Sequence, residues 1–293
     1  MRTHTAARQQ VIDDWETISA KAARKGITVT ATLPQVDAVE LLGEGMKTDK
    51  NEGEGALTRI LYLPPATASG RSLCAWATYG PGGCADACLV DSGQLSMEPA
   101  ENARNWKAIL LFGDRALFRR LMVFEIARHQ RRAIRMGLIP AVRLDGTSDV
   151  ALEDSMRLAE AFPGVTFYGY TKSVKRALKA ARGELGANRY ICFSYSGSNG
   201  RDASRVLAAG GTVAVAFRAR PGIAGRRAPD RLPARWRGVR VIDGDLSDWR
   251  PGDPQGVVIG LRFKSHRDWE GRAAQAGRFL QPVAGRRLAL ATC

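Results

Sequence analysis

Residues 140–149 read PAVRLDGTSD. Pro140–Leu144 is a short, mostly apolar run, and Asp145-Gly146-Thr147-Ser148-Asp149 is a polar, turn-forming segment. A run of this length closed by turn residues reads as a buried strand. Polar groups just past it read as the ligand-bearing carboxyl end of a parallel strand. The unit recurs outward from this point. Further runs are Arg59–Leu63, Ala108–Phe112, Val165–Tyr170, Tyr190–Ser194, Thr212–Phe217, Val239–Ile242 and Val257–Phe263. Lys172, Ser196, Arg218, Asp243 with Asp245, and Lys264 follow five of them.

Helical patterns fill the gaps. Asp114 is placed to cap a helix over Arg115–Met136, and Asp149 to cap one over Val150–Phe162 that Pro163-Gly164 would end. Shorter helices are expected at Val174–Ala181 and Asp202–Ala209, the second closed by Gly210-Gly211. A last one is expected near His266–Ala276, before a strand-like Phe279–Val283. Alternating strands and helices predict a parallel sheet with right-handed crossovers. Eight runs and this length predict an α/β fold with a TIM-like (β/α) barrel. Short or missing crossovers after the first run and before the last would make the barrel distorted or incomplete. An open doubly wound sheet is the runner-up, and no G-x-G-x-x-G supports a dinucleotide site.

The expected organisation is an N-terminal extension, 1–40, then one domain, 41–285, and a tail, 286–293. The extension holds a basic amphipathic helix over 1–27, with Val11, Ile12, Trp15, Ile18 and Ala22 at helical spacing, and a strand at Ile27–Leu33. Residues 42–56 read as a long charged glycine-rich loop. The insertion at 64–105 is irregular and rich in Gly and Cys, so it needs an internal staple to offset its ordering entropy.

The 293 residues carry 44 Lys+Arg against 29 Asp+Glu, a net charge of +15. Such an excess attracts polyanions, so nucleic acid is the expected partner, DNA ahead of RNA; GC-rich coding is the competing explanation. No run of 18 apolar residues predicts a membrane span, and the N-terminus lacks the apolar core of a signal peptide. The expected location is the cytoplasm, the host's if the gene is a phage's. Oligomeric state is left open.

Cys74, Cys84 and Cys88 are spaced C-x9-C-x3-C around Gly80-Pro81-Gly82-Gly83. Thiolates favour zinc or iron–sulfur clusters, and three leave one coordination position open. The competing reading is a trio of packed thiols. Cys192, Cys293, a histidine or a small molecule is a candidate fourth ligand. The spacing departs from the C-x3-C-x2-C of enzymes that cleave S-adenosylmethionine, so that cofactor has little support.

Asp145 is a candidate acid, base or nucleophile, with Arg143 on the same strand face. Asp243 and Asp245, followed by Ser247 and Asp248, are candidates to hold a cation or move protons, against the alternative of a solvated acidic turn. Lys172 is a candidate catalytic or phosphate-holding group. Ser148, Ser196, Asn199, Arg218 and Lys264 are candidate substrate or phosphate contacts, Ser196 and Asn199 from a glycine-rich loop opening a helix. Arg128–Arg135 reads as a solvated helix face, whereas Arg218–Arg240, with Trp236, reads as a strand-tracking surface. With three histidines and no His-x-His pair, a paired-histidine relaxase is disfavoured.

Several stretches together, among them SLCAWATYGPGGCADAC (72–88), VRLDGTSDV (142–150), FPGVTFYGYTKSVKR (162–176), FSYSGSN (193–199) and VIDGDLSDWRPGDPQGVVIGLRFK (241–264), resemble a phage- and plasmid-borne family called gene-product-88-like. It is sometimes labelled rolling-circle-replication-associated. The resemblance implies that Cys74, Cys84, Cys88, Asp145, Ser148, Asp149, Lys172, Asp243 and Asp245 are shared positions. The family pattern usually has Asn where this chain has Asp145.

The expected function is therefore a phage-type metal- or iron–sulfur-containing barrel enzyme acting on nucleic acid or a nucleotide, with DNA base modification as the specific form. The alternative is a non-catalytic nucleic-acid-binding replication accessory protein with a structural cysteine-bound metal. A third reading is a small-metabolite enzyme whose charge is incidental.

Overall fold

The computed structural model describes residues 2–80, 82–91, 93–219, 231–264, 274 and 276–283. Nine strands form one sheet: β1 (Leu42–Gly43), β2 (Ala56–Leu61), β3 (Ile139–Arg143), β4 (Thr166–Thr171), β5 (Arg189–Ser194), β6 (Val213–Phe217), β7 (Arg235–Trp236), β8 (Val239–Asp243) and β9 (Val258–Arg262). Their order is β1-β2-β3-β4-β5-β6-β9-β8-β7. From β2 to β8 all pairings are parallel, and only the two-residue edges β1 and β7 are antiparallel. The sheet is mixed but mostly parallel, and it is not closed.

The helices are α1 (Arg2–Asp13), α2 (Trp15–Arg24), α3 (Met46–Asp49), α4 (Glu98–Gly113), α5 (Arg115–Arg135), α6 (Leu152–Ser155), α7 (Leu158–Ala161), α8 (Val174–Ala181) and α9 (Gly200–Ala208). None of those described is long and apolar enough to cross a membrane. Asp114 caps α5 by accepting from the Leu117 N–H at 2.9 Å.

Strand parity decides what each sheet face does. Val142, Leu144, Phe167, Phe193, Val213, Val215 and Phe217 point into the two apolar clusters under the helices. Residues of the opposite parity, Arg143, Asp145, Tyr170, Lys172, Ser194, Ala214 and Ala216, line a cavity on the other face. The strand order runs from β2 to β6 without reversing, and right-handed crossovers then keep α5, α8 and α9 on one side.

Seven of the eight apolar runs are strands. The exception is Ala108–Phe112, which lies within α4. Trp106 to Leu111 is buried on every side, and an apolar run buried all round carries no period to separate helix from strand. Ile27–Leu33 has no regular structure; its polar backbone is met from elsewhere, as where Thr32 N–H donates to Asn102 Oδ1 at 2.8 Å. The expected loop at 42–56 contains β1, α3 and a 3₁₀ turn, Lys50–Glu54. The single helix expected at Val150–Phe162 is two short turns broken at Arg157, whose φ is 53°. Phe279–Val283 contributes an isolated bridge, Phe217 to Gln281. Most of His266–Ala276, Cys293, and 220–230 of the arginine loop lie outside the described residues.

Candidate functional site

A cavity of about 230 Å³ opens over the carboxyl ends of β3, β4, β5, β6 and β9. One wall is the cysteine insertion, which is stapled by hydrogen bonds; Cys74, Cys84 and Cys88 are free thiols. At one end Asp149 N–H donates to Leu73 O at 2.8 Å. In the middle, Thr78 Oγ1 accepts from Cys84 N–H at 2.9 Å and donates to Ser196 O at 3.0 Å. Gly83 is forced by this turn, because a Cβ there would lie 2.3 Å from Thr78 O.

All three thiols line the cavity. Thr78 N–H donates to Cys84 Sγ at 3.4 Å, and Cys74 Sγ–H donates to Thr147 O at 3.9 Å. Burial pushes the Cys74 and Cys88 thiols up, which makes them poor nucleophiles. Soft sulfur donors suit a thiophilic metal or cluster in kind. Among the described residues, no three His, Cys, Asp or Glu side chains form a preformed ligand set. The thiols share a wall, not a vertex.

Lys172, at the end of β4, is half-buried among these sulfurs. Burial opposes its charge, but Cys84, Asp149, Cys74 and Cys88 outweigh that and raise its pKa. Asp149 holds the local backbone, accepting from Thr171 Oγ1 at 2.8 Å and Lys172 N–H at 2.7 Å. Its carboxylate therefore serves the neighbouring strand end and is not the helix cap expected from its position. Ser148 is buried, and its Oγ has no hydrogen-bond partner among the described residues.

The cavity floor is ionic. Arg143 Nε lies 3.3 Å from Asp145 Oδ1, and Arg143 Nη1 lies 3.1 Å from Asp248 Oδ2. The guanidinium sits 4.6 Å from the centre of the Tyr170 ring. Asp145 Oδ2 accepts from Tyr170 N–H at 2.7 Å. Burial raises the Asp145 pKa despite the Arg143 charge. Gly169 makes room, since a Cβ there would fall 2.0 Å from Asp145 Oδ2. Both carboxylate oxygens of Asp145 are thus engaged, which suits positioning better than nucleophilic attack.

Behind the floor runs a buried network. Asn51 donates to Tyr168 Oη and to Thr58 Oγ1, each at 3.0 Å, and Tyr168 Oη donates to Asp248 at 3.2 Å. Asp248 N–H returns to Asn51 Oδ1 at 3.2 Å. Asn51 and Tyr168 carry no signal as site residues in the sequence, and Asp248 reads there as one of a group of carboxylates able to hold a cation or move protons, not as the partner of Arg143. Asn51 lies in the expected loop, 197 positions from Asp248, and no spacing signal spans that distance.

Asp145, Ser148, Lys172, Asp245, Lys264 and the three cysteines meet at one cavity. Asp243, Ser196, Asn199 and Arg218 are not in its lining. Asp243 and Asp245 are both held by Arg262, at 2.9 and 3.3 Å, and Lys264 Nζ lies 2.8 Å from Asp245. Asn199 closes its own loop, accepting from Ser196 N–H and donating to Ser194 O.

Fold and site together define an α/β protein with a polar, thiol-walled cavity at the carboxyl end of a mostly parallel sheet. The chain belongs to the gene product 88 family, whose model matches residues 40–281. That span takes in the cysteine insertion and every cavity residue named above. No curated protein and no solved structure matches the chain.

Proposed function

We propose that the chain is an incomplete (β/α) barrel enzyme that holds zinc or an iron–sulfur cluster on Cys74, Cys84 and Cys88 and acts on nucleic acid or a nucleotide, DNA base modification being the specific form. The strand order from β2 to β6, which runs without reversal, with helices on one face and a cavity on the other supports the barrel. The metal is carried by one observation: three thiols from one loop line a single cavity wall beside Lys172. With three protein ligands, such a centre supplies an open coordination position for a substrate or S-adenosylmethionine.

The protein's own groups would do the rest. Lys172 holds an anionic substrate group near the sulfurs. The Ser148 hydroxyl, without a hydrogen-bond partner among the described residues, orients the ligand. Arg143, fixed by Asp145 and Asp248, presents a rigid cation at the floor, and Asp145 positions it. Net charge of +15 supports a polyanionic substrate.

Elemental analysis of anaerobically isolated protein tests this. Iron with acid-labile sulfide, or zinc, at one centre per chain is expected, with loss in a Cys74→Ser, Cys84→Ser, Cys88→Ser triple variant. A metal-free parent that also fails to take up either metal on reconstitution rejects the proposal. Zinc that resists exchange and leaves no position for added ligands supports instead the accessory protein with a structural metal.

A further inference from the structure

A second cavity, of about 350 Å³, lies between α5 and the strands β1 and β2. Arg59 of β2 and Arg128, Arg132 and Arg135 of α5 line it. The α5 residues fall at i, i+4 and i+7, a spacing that puts them on one helix face. Arg8 of α1 joins them through a shared acid. Glu40 sits between Arg8 at 2.7 Å and Arg128 at 2.5 Å, and Glu44 between Arg59 at 2.8 Å and Arg132 at 3.1 Å. Arg135 makes no ion pair among the described residues. Five guanidinium groups therefore face two ionised acids. Glu125 also lines the cavity, but its oxygens accept from Leu41 and Leu42 N–H.

His129 lines the same cavity. It is 4% exposed, and its Nε2 is 3.0 Å from both Leu57 O and Ala141 O. Two carbonyls require a proton on Nε2. Burial lowers the ring's pKa, and Nδ1 has no hydrogen-bond partner among the described residues. His4 Nε2, whose ring feels the charges of Arg8 and Arg128, is likewise buried and unpartnered.

Guanidinium forks bind carboxylate or phosphate oxygens in pairs. Glu40 and Glu44 already occupy two such places, each bridging two arginines as an oxyanion would. We propose that this cavity is a phosphate-binding site that holds the backbone of a DNA strand, with the exposed Glu44 giving way to an incoming phosphate. The proposal deepens the nucleic-acid reading above and rests on it.

The test is DNA binding by the full chain across a salt series, with a labelled single-stranded oligonucleotide and inorganic phosphate as competitor. Arg128, Arg132 and Arg135 are solvent-exposed, so R128Q/R132Q/R135Q is expected to keep its melting temperature. It should lose about tenfold in affinity, and its log–log salt slope should flatten by about 2, at roughly 0.7 per phosphate contact. Glu44→Gln removes the competing acid and is expected to tighten binding about threefold; misfolding cannot produce that gain. Unchanged affinity in both variants overturns the site. Displacement of the oligonucleotide by inorganic phosphate at equal phosphate concentration also overturns it, in favour of a free-phosphate site. Failure of the parent to bind DNA at low salt removes the nucleic-acid reading itself, whereas loss of metal in the cysteine variant with DNA binding intact leaves this site standing.

Discussion

The two faces of the central sheet are built from alternate residues of the same strands, yet they obey different rules. On the helix side Phe167, Phe193, Val215 and Phe217 are almost wholly buried in apolar clusters, and the hydrophobic effect holds them there. On the cavity side Arg143, Asp145 and Asp248 are nearly as buried, but each keeps a charge matched by hydrogen bonds and ion pairs. Burying charge in this way is costly, and replacing such groups by apolar ones is often neutral or stabilising. The helix side is organised for stability, and the cavity side carries polar groups whose return is a shaped, charged floor.

The largest effects should come from breaking either face. Asp248→Ala takes one of its two acids from the Arg143 cation and leaves the Tyr168 hydroxyl without its acceptor, and about 3 kcal/mol of stability should go with it. Phe193→Ala opens a void between the sheet and its helices and should cost about 3 kcal/mol. Urea unfolding measures both. A loss below about 1 kcal/mol for Asp248→Ala would mean that the floor is not an interlocked network.

A smaller, pH-dependent effect tests an acid buried on the helix side. Burial pushes Glu125 up from 4.5 to about 7, although the Leu41 and Leu42 N–H groups donate to it. Its folded-state pKa exceeds its unfolded value. Its contribution is therefore fully present below pH 4.5 and is lost as pH rises through about 7. Between pH 5 and pH 8 the parent should lose about 2 kcal/mol relative to Glu125→Gln. Parallel stability curves for the two proteins would remove Glu125 as a titrating group.

The smallest stability change belongs to Ser148→Ala. Its hydroxyl has no partner to lose among the described residues, so stability should move by less than about 0.5 kcal/mol. Ligand affinity at the cavity should fall all the same. A clear drop in melting temperature would show that Ser148 holds the loop, not a ligand.

Much of this was legible along the chain. Seven strands announced themselves as short apolar runs, because a strand buried in a parallel sheet must be apolar where it meets helices. Asp145 and Lys172 were legible as cavity groups because parity and strand polarity fix where a residue just past a strand end points. Ala108–Phe112 was not legible as helix, since full burial erases the period. Asp149 showed the pattern of a helix cap, but the neighbouring strand end competes for its carboxylate and wins with two hydrogen bonds. The arginines of α5 read as a solvated face because Glu40 and Glu44, which turn that face into a cavity, lie 88 positions away.

By itself, the sequence determined the strand–helix alternation, the end of the sheet where polar groups gather, and the presence of three thiols in one irregular insertion. These are local properties, set by side-chain period and backbone preference. Only the tertiary structure decided that the thiols face Lys172 across one cavity, that Arg143 is clamped by two acids, and that Asp243 and Asp245 are neutralised by Arg262. Each of those depends on groups far apart in the chain, where charge and desolvation act through space and leave no periodic trace in the order of residues.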